Sequence, residues 1–223
     1  MTTEKLLTGM LWVHIAGGTI ALLSGLIAMF TAKGGKTHRL AGKIYVAGMT
    51  AVFVGALFTA IGHHKDFLLM VAFFSYYMTV RGYRILYLKN LNQGQKPQLL
   101  DWMISSLSGV FIISLLGWGI WALIQGVGMG IAGIMFALIG SSFLIADVRN
   151  FIHPPKEKMH WWYSHISSMG GSYISAVTAF VVVNIQLPQH NWILWILPGI
   201  IGGVIIGRTI RKYKAKFQTA SNA

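Results

Sequence analysis

Histidine is the residue type in this chain best placed to do chemistry. There are eight histidines and no cysteine. Disulfides, thiolate ligands, iron–sulfur clusters and a cysteine nucleophile are thereby excluded. His38 and His63 are 25 residues apart, close to seven whole turns of α-helix. On an unbroken helix both project from one face, at opposite ends. His160 and His165 are five apart, so they do not share a face, and the spacing suits two ligands on one metal poorly. HExxH is absent. The tract HWWYSHISS reads as His165 facing inward with the serines and His160 at the surface.

Other ionisable residues gather near these histidines. Tyr77, Arg81 and Arg84 fall at i, i+4 and i+7 and share a helix face. Asp101 opens one apolar stretch and Asp147 closes another. Arg81 lies inside its stretch, so it must snorkel, pair with Asp101 or Asp147, or contact a substrate or cofactor. His14 also sits within an apolar stretch, with Gly17 and Gly18 following. That is a place where a ligand or a second helix can approach closely. His63, His64 and Asp66 cap the far end of the second stretch and His190 precedes the last. They form either an outer cluster with His14 or a set of exposed loop histidines.

The elements that must position these residues are transmembrane helices. The 223 residues are 55% hydrophobic and 10% charged, which leaves little for a soluble domain. Apolar stretches of about 20 residues, the length that crosses a bilayer, lie near 6–31, 41–62, 67–88, 100–124, 128–150, 161–185 and 191–211. The expected fold is therefore all-α: one polytopic seven-helix bundle over 1–211, with 212–223 a basic cytoplasmic tail that frays after a surface helix. Pro97, Pro154, Pro155 and Pro188 fall between the stretches, where helices end. Pro198 falls inside the last, where a kink is expected. Stripes of small and polar residues mark faces that pack on protein: Gly133, Ala137, Gly140 and Ser141; Ser164, Ser168, Gly171, Ser175 and Thr178; Asp101, Ser105 and Ser108.

Sixteen of the eighteen Lys and Arg residues lie in four clusters, Lys33–Lys43, Arg81–Lys96, Arg149–Lys158 and Arg208–Lys216. The alternate connections carry almost none. Basic residues stay on the cytoplasmic side of short loops, so the N-terminus is expected outside and the C-terminus inside, in a bacterial inner membrane. His14, His63, His64 and His190 then belong to the outer side, and His38, His153, His160 and His165 to the inner. The net charge of +13 sits at span ends, which points to anionic lipid headgroups as partner rather than nucleic acid. The N-terminus lacks a basic n-region and a small-residue cleavage site, so no removable signal peptide is expected.

Residues 14–45 carry the pattern H-I-x-G-G-x-x-A-L-x-x-G followed by K-G-G-K-x-H-R-x-x-G-K-I-Y. It includes His14, Gly17, Gly18, Gly25, Lys33, Gly34, His38, Arg39 and Gly42. This pattern resembles an uncharacterised family of bacterial membrane proteins catalogued as domain of unknown function 2306. The resemblance implies a multi-span bundle and supplies no established site residues. Helix-borne histidines near both faces give a more distant similarity, at the level of fold, to di-haem b-type membrane cytochromes.

Three functions compete on these residues. The first is haem b held by paired histidines for transmembrane electron transfer. His14 would pair with His63 outside and His38 with His165 inside, with Arg81, Arg84 or Lys36 meeting the propionates. Without CxxCH any such haem is non-covalent. The second is a transporter or small-molecule-binding protein whose polar cavity, near Tyr77, Arg81, Arg84, Asp101 and Asp147, opens to the cytoplasmic side. The third is a zinc-dependent membrane hydrolase drawing ligands from His14, His63, His64, His38 and His165, with Asp101, Asp147 or a histidine as base. A redox partner or a small-molecule substrate follows from whichever holds.

Overall fold

The computed structural model describes residues 2–187 and 190–222; Pro188 lies outside them. Each apolar stretch is a helix: α1 (Thr3–Phe30), α2 (Lys36–Gly62), α3 (Asp66–Arg84), α4 (Leu99–Ile124), α5 (Gly130–Ile152), α6 (His160–Asn184) and α7 (Asn191–Asn222). Short 3₁₀ turns at Ile85–Tyr87 and Leu91–Gln93 carry α3 towards α4. Pro97, Pro154 and Pro155 fall in the connections, as their missing N–H requires.

Six of the seven helices are long and apolar enough to cross a membrane, and α3 is the exception. The reason is its position. α3 is packed by α2, α4, α5 and α6, so Met70, Phe74, Tyr77, Met78, Thr79, Arg81 and Gly82 are all buried. A helix shielded by its neighbours on this many sides can carry polar residues that a lipid-facing helix cannot. α7 is the opposite case. It rests on α6 and touches α5, and it shows Leu197, Ile200, Ile201, Val204 and Ile205 at the surface. The bundle thus turns apolar side chains outward and polar ones inward, the arrangement of a helical membrane protein.

Two hairpins are drawn tight by glycine. A Cβ built on Gly17 would lie 2.8 Å from the Gly48 carbonyl, and one on Gly48 2.9 Å from the Gly17 carbonyl. α1 and α2 therefore approach backbone to backbone. Gly119 and Gly130 do the same for α4 and α5, at 3.0 and 2.5 Å. The small-residue stripes mostly face inward: Gly133, Ala137, Gly140, Asp101, Ser105, Ser108, Ser168 and Thr178 are buried.

The basic connections collect at one end of the bundle, which we call the basic face. There His160 reaches the Leu88 carbonyl, Lys214 reaches Glu157, and Tyr213 and Phe217 pack on Trp162. The last contacts explain a difference from expectation: α7 passes through Pro198 and stays helical to Asn222 instead of fraying beyond 212. Its final turns are held by aromatic packing against the start of α6.

Candidate functional site

The basic face is built around two ion pairs on α3. Arg81 is buried at 6% exposure, so its charge must be met inside the protein. Asp147 of α5 meets it, with Nε donating to Oδ1 at 2.8 Å. Tyr77, one turn earlier, donates to Asp147 Oδ2 at 2.8 Å. A second Arg81 nitrogen donates to Ser168 of α6, and the guanidinium lies over the Phe143 ring. One turn further out, Arg84 donates to Asp101 Oδ1 at 2.6 Å and to Gln98 Oε1 at 2.5 Å. Asp101 also accepts the Gln98 N–H at 2.7 Å in a reciprocal cap of α4.

The Tyr77–Arg81–Arg84 face read from the sequence therefore binds α3 to α4, α5 and α6. Between the two pairs lies a recess of about 20 Å³ lined by Arg81, Arg84, Asp101, Ser105, Asp147 and Phe151. That is room for one water. Arg81 and Arg84 are engaged by Asp147 and Asp101, so they are poorly placed to meet haem propionates.

The second arrangement is a histidine pair. His38, in the first turn of α2, and His165, in the second turn of α6, stand with ring centres 6.3 Å apart and planes crossed at 75°. His38 Nδ1 is 2.9 Å from the Ala28 carbonyl and His165 Nδ1 is 2.8 Å from the Gly82 carbonyl. A carbonyl can only accept, so Nδ1 carries the proton in both rings. Nε2 is then the lone-pair nitrogen of each neutral imidazole, with its ring fixed from behind by main chain. Metal-ligating histidines are oriented in this way. An ion held by two Nε2 atoms at about 2 Å each puts ring centres about 6 Å apart, which the observed separation matches.

Beneath the pair is a second rung. Tyr45 and Ser172 stand seven residues on from His38 and His165, about 10 Å deeper along their helices. Their hydroxyls are 2.6 Å apart, and Ser172 is also 2.6 Å from the Thr79 hydroxyl. The same offset of 127 residues joins both rungs, because α2 and α6 both start at the basic face and run side by side in register. Among the described residues their backbones are not closely packed; the side chains span the distance. A Cβ added at Gly42, one turn beyond His38, would meet nothing within 4 Å. α2 and α6 thus share two rungs, the histidine pair and a deeper hydroxyl chain that continues to Thr79 of α3. Tyr45, Thr79 and Ser172 had not been singled out. The signal that could have found them is the repeat at i+7 from each histidine.

The remaining histidines do not assemble. His14 Nδ1 is bonded to the Val52 carbonyl at 2.9 Å, and its backbone stands against Gly55 of α2. His63 is eight residues, about 12 Å, further along α2, exposed at the end of the helix. His14 and His63 therefore do not face each other across one ligand. His64 is exposed in the following turn, with φ of 52°, and His190 is exposed before α7. His160 reverses its expected placement. It is buried at 6% exposure, with ring nitrogens 3.2 Å from the Glu157 and Leu88 carbonyls, and joins two connections of the basic face. His165 is only half-buried. Among the described residues no three His, Asp or Glu side chains cluster to hold a metal ion, the arrangement a hydrolytic zinc site needs.

Fold and site together define an all-helical bundle of membrane type with its polar side chains gathered at one end. Comparison with protein-family profiles, with curated proteins and with solved structures finds no match for the chain.

Proposed function

We propose that this is a seven-span inner-membrane protein that holds one haem b between His38 and His165. The basic face is cytoplasmic in this reading and the N-terminus lies outside, because sixteen basic residues cluster at that face. Three of them pair with the carboxylates there, Arg81, Arg84 and Lys214. Most of the others stand at the ends of the spans, where anionic headgroups would meet them. The resemblance of residues 14–45 to the family catalogued as domain of unknown function 2306 belongs to the same proposal.

The observation that carries the haem reading is the paired rings 6.3 Å apart with both Nδ1 atoms on main-chain carbonyls. The chain's residues divide the work. His38 and His165 would hold the iron through Nε2, one from each of two helices. The Ala28 and Gly82 carbonyls fix the tautomer and aim the rings. Tyr45 bonds Ser172 deeper between the same helices, and Tyr45 and Tyr173 pack against Gly25 of α1. Bound haem would supply one-electron chemistry. With one histidine pair, electrons would be exchanged at the cytoplasmic face with a redox partner rather than relayed across the bilayer.

The test is the optical spectrum of the protein purified from haem-replete cells. A Soret band that shifts on dithionite reduction, lost in His38→Ala and His165→Ala and kept in His14→Ala, is the expected result. A colourless protein that takes up no added haem would overturn the proposal.

A further inference from the structure

The connection between α1 and α2 places a fixed cation beside the histidine pair. Gly34 adopts φ of 78°, a left-handed conformation that glycine takes without strain, and the chain turns back on the end of α1. Lys33 is thereby folded onto the last turn of that helix. Its ammonium donates to the Ala28 carbonyl at 3.0 Å and to the Met29 carbonyl at 2.5 Å. An ammonium has three protons, so one remains for another acceptor. The Ala28 carbonyl is also the one that orients His38. The two nitrogens on that oxygen are therefore within about 6 Å of each other.

Among the described residues no carboxylate pairs with Lys33, while the three carboxylates of the basic face are taken by Arg81, Arg84 and Lys214. Lys89 lies over the Trp161 ring. Packing against α1 holds the Lys33 ammonium below the ordinary lysine pKa by partial desolvation, and an incoming anion would offset that cost.

Building on the haem reading above, we propose that Lys33 recognises a carboxylate on the edge of the group held by His38 and His165, so the site selects an acidic metalloporphyrin over its neutral ester. His38 and His165 are both half-buried, and an iron protoporphyrin held by them would carry two propionate carboxylates, the groups a surface ammonium can meet. A held ammonium meets a carboxylate with little further loss of side-chain freedom.

The experiment compares iron protoporphyrin IX with its dimethyl ester. Each is titrated into the apo-protein in a non-ionic detergent and followed by tryptophan quenching and by the Soret band. Wild type should bind the free acid at least about tenfold more tightly than the ester, the ratio expected for one charge-assisted hydrogen bond. Lys33→Met should bring the ratio close to one mainly by weakening the acid, and Lys33→Arg should keep most of it. Melting of each apo-protein shows whether the loss of the α1 cap changes the fold. Should Lys33→Met melt lower, the wild-type ratio and Lys33→Arg decide. Equal affinity of wild type for acid and ester, or an unchanged ratio in Lys33→Met, overturns the role of Lys33 and leaves the histidine pair standing. Failure of wild type to bind either porphyrin overturns the haem reading and this inference with it.

Discussion

At the basic end of the bundle, His38 and His165 stand 6.3 Å apart on two helices that run in register. At the opposite end, His14 faces Gly55, two turns short of His63 on the same α2. Both pairings follow from the same sequence logic, a histidine near a helix end with a second on a neighbouring helix. The difference lies in what sets the register between the helices. α1 and α2 are antiparallel and locked by Gly17 and Gly48 at backbone contact, which carries His14 past His63. α2 and α6 start from the same face and are spaced by Tyr45 reaching Ser172, so equal steps along each keep partners opposite one another. A shared histidine count at the two ends says nothing about shared chemistry; helix direction and spacing decide it.

The widest gap between the two ends should appear in ligand binding. His38→Ala or His165→Ala should remove haem uptake completely, while His14→Ala and His63→Ala leave stoichiometry unchanged, as read by the pyridine haemochrome of purified protein. Loss of haem in His14→Ala alone would reverse the comparison.

Stability should follow the same division. Asp147→Ala strips the one carboxylate that, among the described residues, pairs with a guanidinium buried at 6% exposure and should cost about 3–5 kcal/mol, measured by unfolding in mixed micelles. Asp101→Ala should cost less, about 1–2 kcal/mol, because Arg84 is partly exposed and loses mainly a hydrogen bond and a cap. At the opposite end no buried charge is at stake, and packing sets the scale. Gly55→Val, where a Cβ would already lie 2.6 Å from the Met10 carbonyl, should cost about 1–3 kcal/mol without touching haem affinity. The smallest effect belongs to Lys214→Ala. Its pair with Glu157 is open to water on both sides and should be worth under about 1 kcal/mol, so a larger loss would mean that α7 depends on that one contact.

Several parts of the site were legible before any coordinates. The i, i+4, i+7 spacing of Tyr77, Arg81 and Arg84 puts them on one face; for Arg81 the sequence leaves snorkelling, a pair with Asp101 or Asp147, and a ligand contact all open, and Asp147 is the partner found. His38 and His165 were matched as an inner pair because both open helices at the basic end. The Lys33 contacts were not legible, since they depend on how tightly the turn at Gly34 folds back on α1. The Tyr45–Ser172–Thr79 chain escaped notice because hydroxyls carry no charge to flag them in an apolar run. His165 faces inward, against His38 and the Gly82 carbonyl, in keeping with the polar stripe on α6, but His160 is buried where a surface position is expected, because the connection Ile85–Gln93 covers it.

The sequence alone determined the helices, their apolar length and the gathering of positive charge in alternate connections, because each depends on local composition and on the cost of burying charge or unpaired backbone in an apolar medium. It also determined that α3 carries charges which require partners. The tertiary structure decided which partners those are, which histidines meet, and that α3 occupies the centre of the bundle. Those outcomes depend on the direction, spacing and register of helices far apart in the chain. Close glycine contacts set them in α1–α2 and side-chain reach sets them in α2–α6, and neither can be read from the periodicity of one helix.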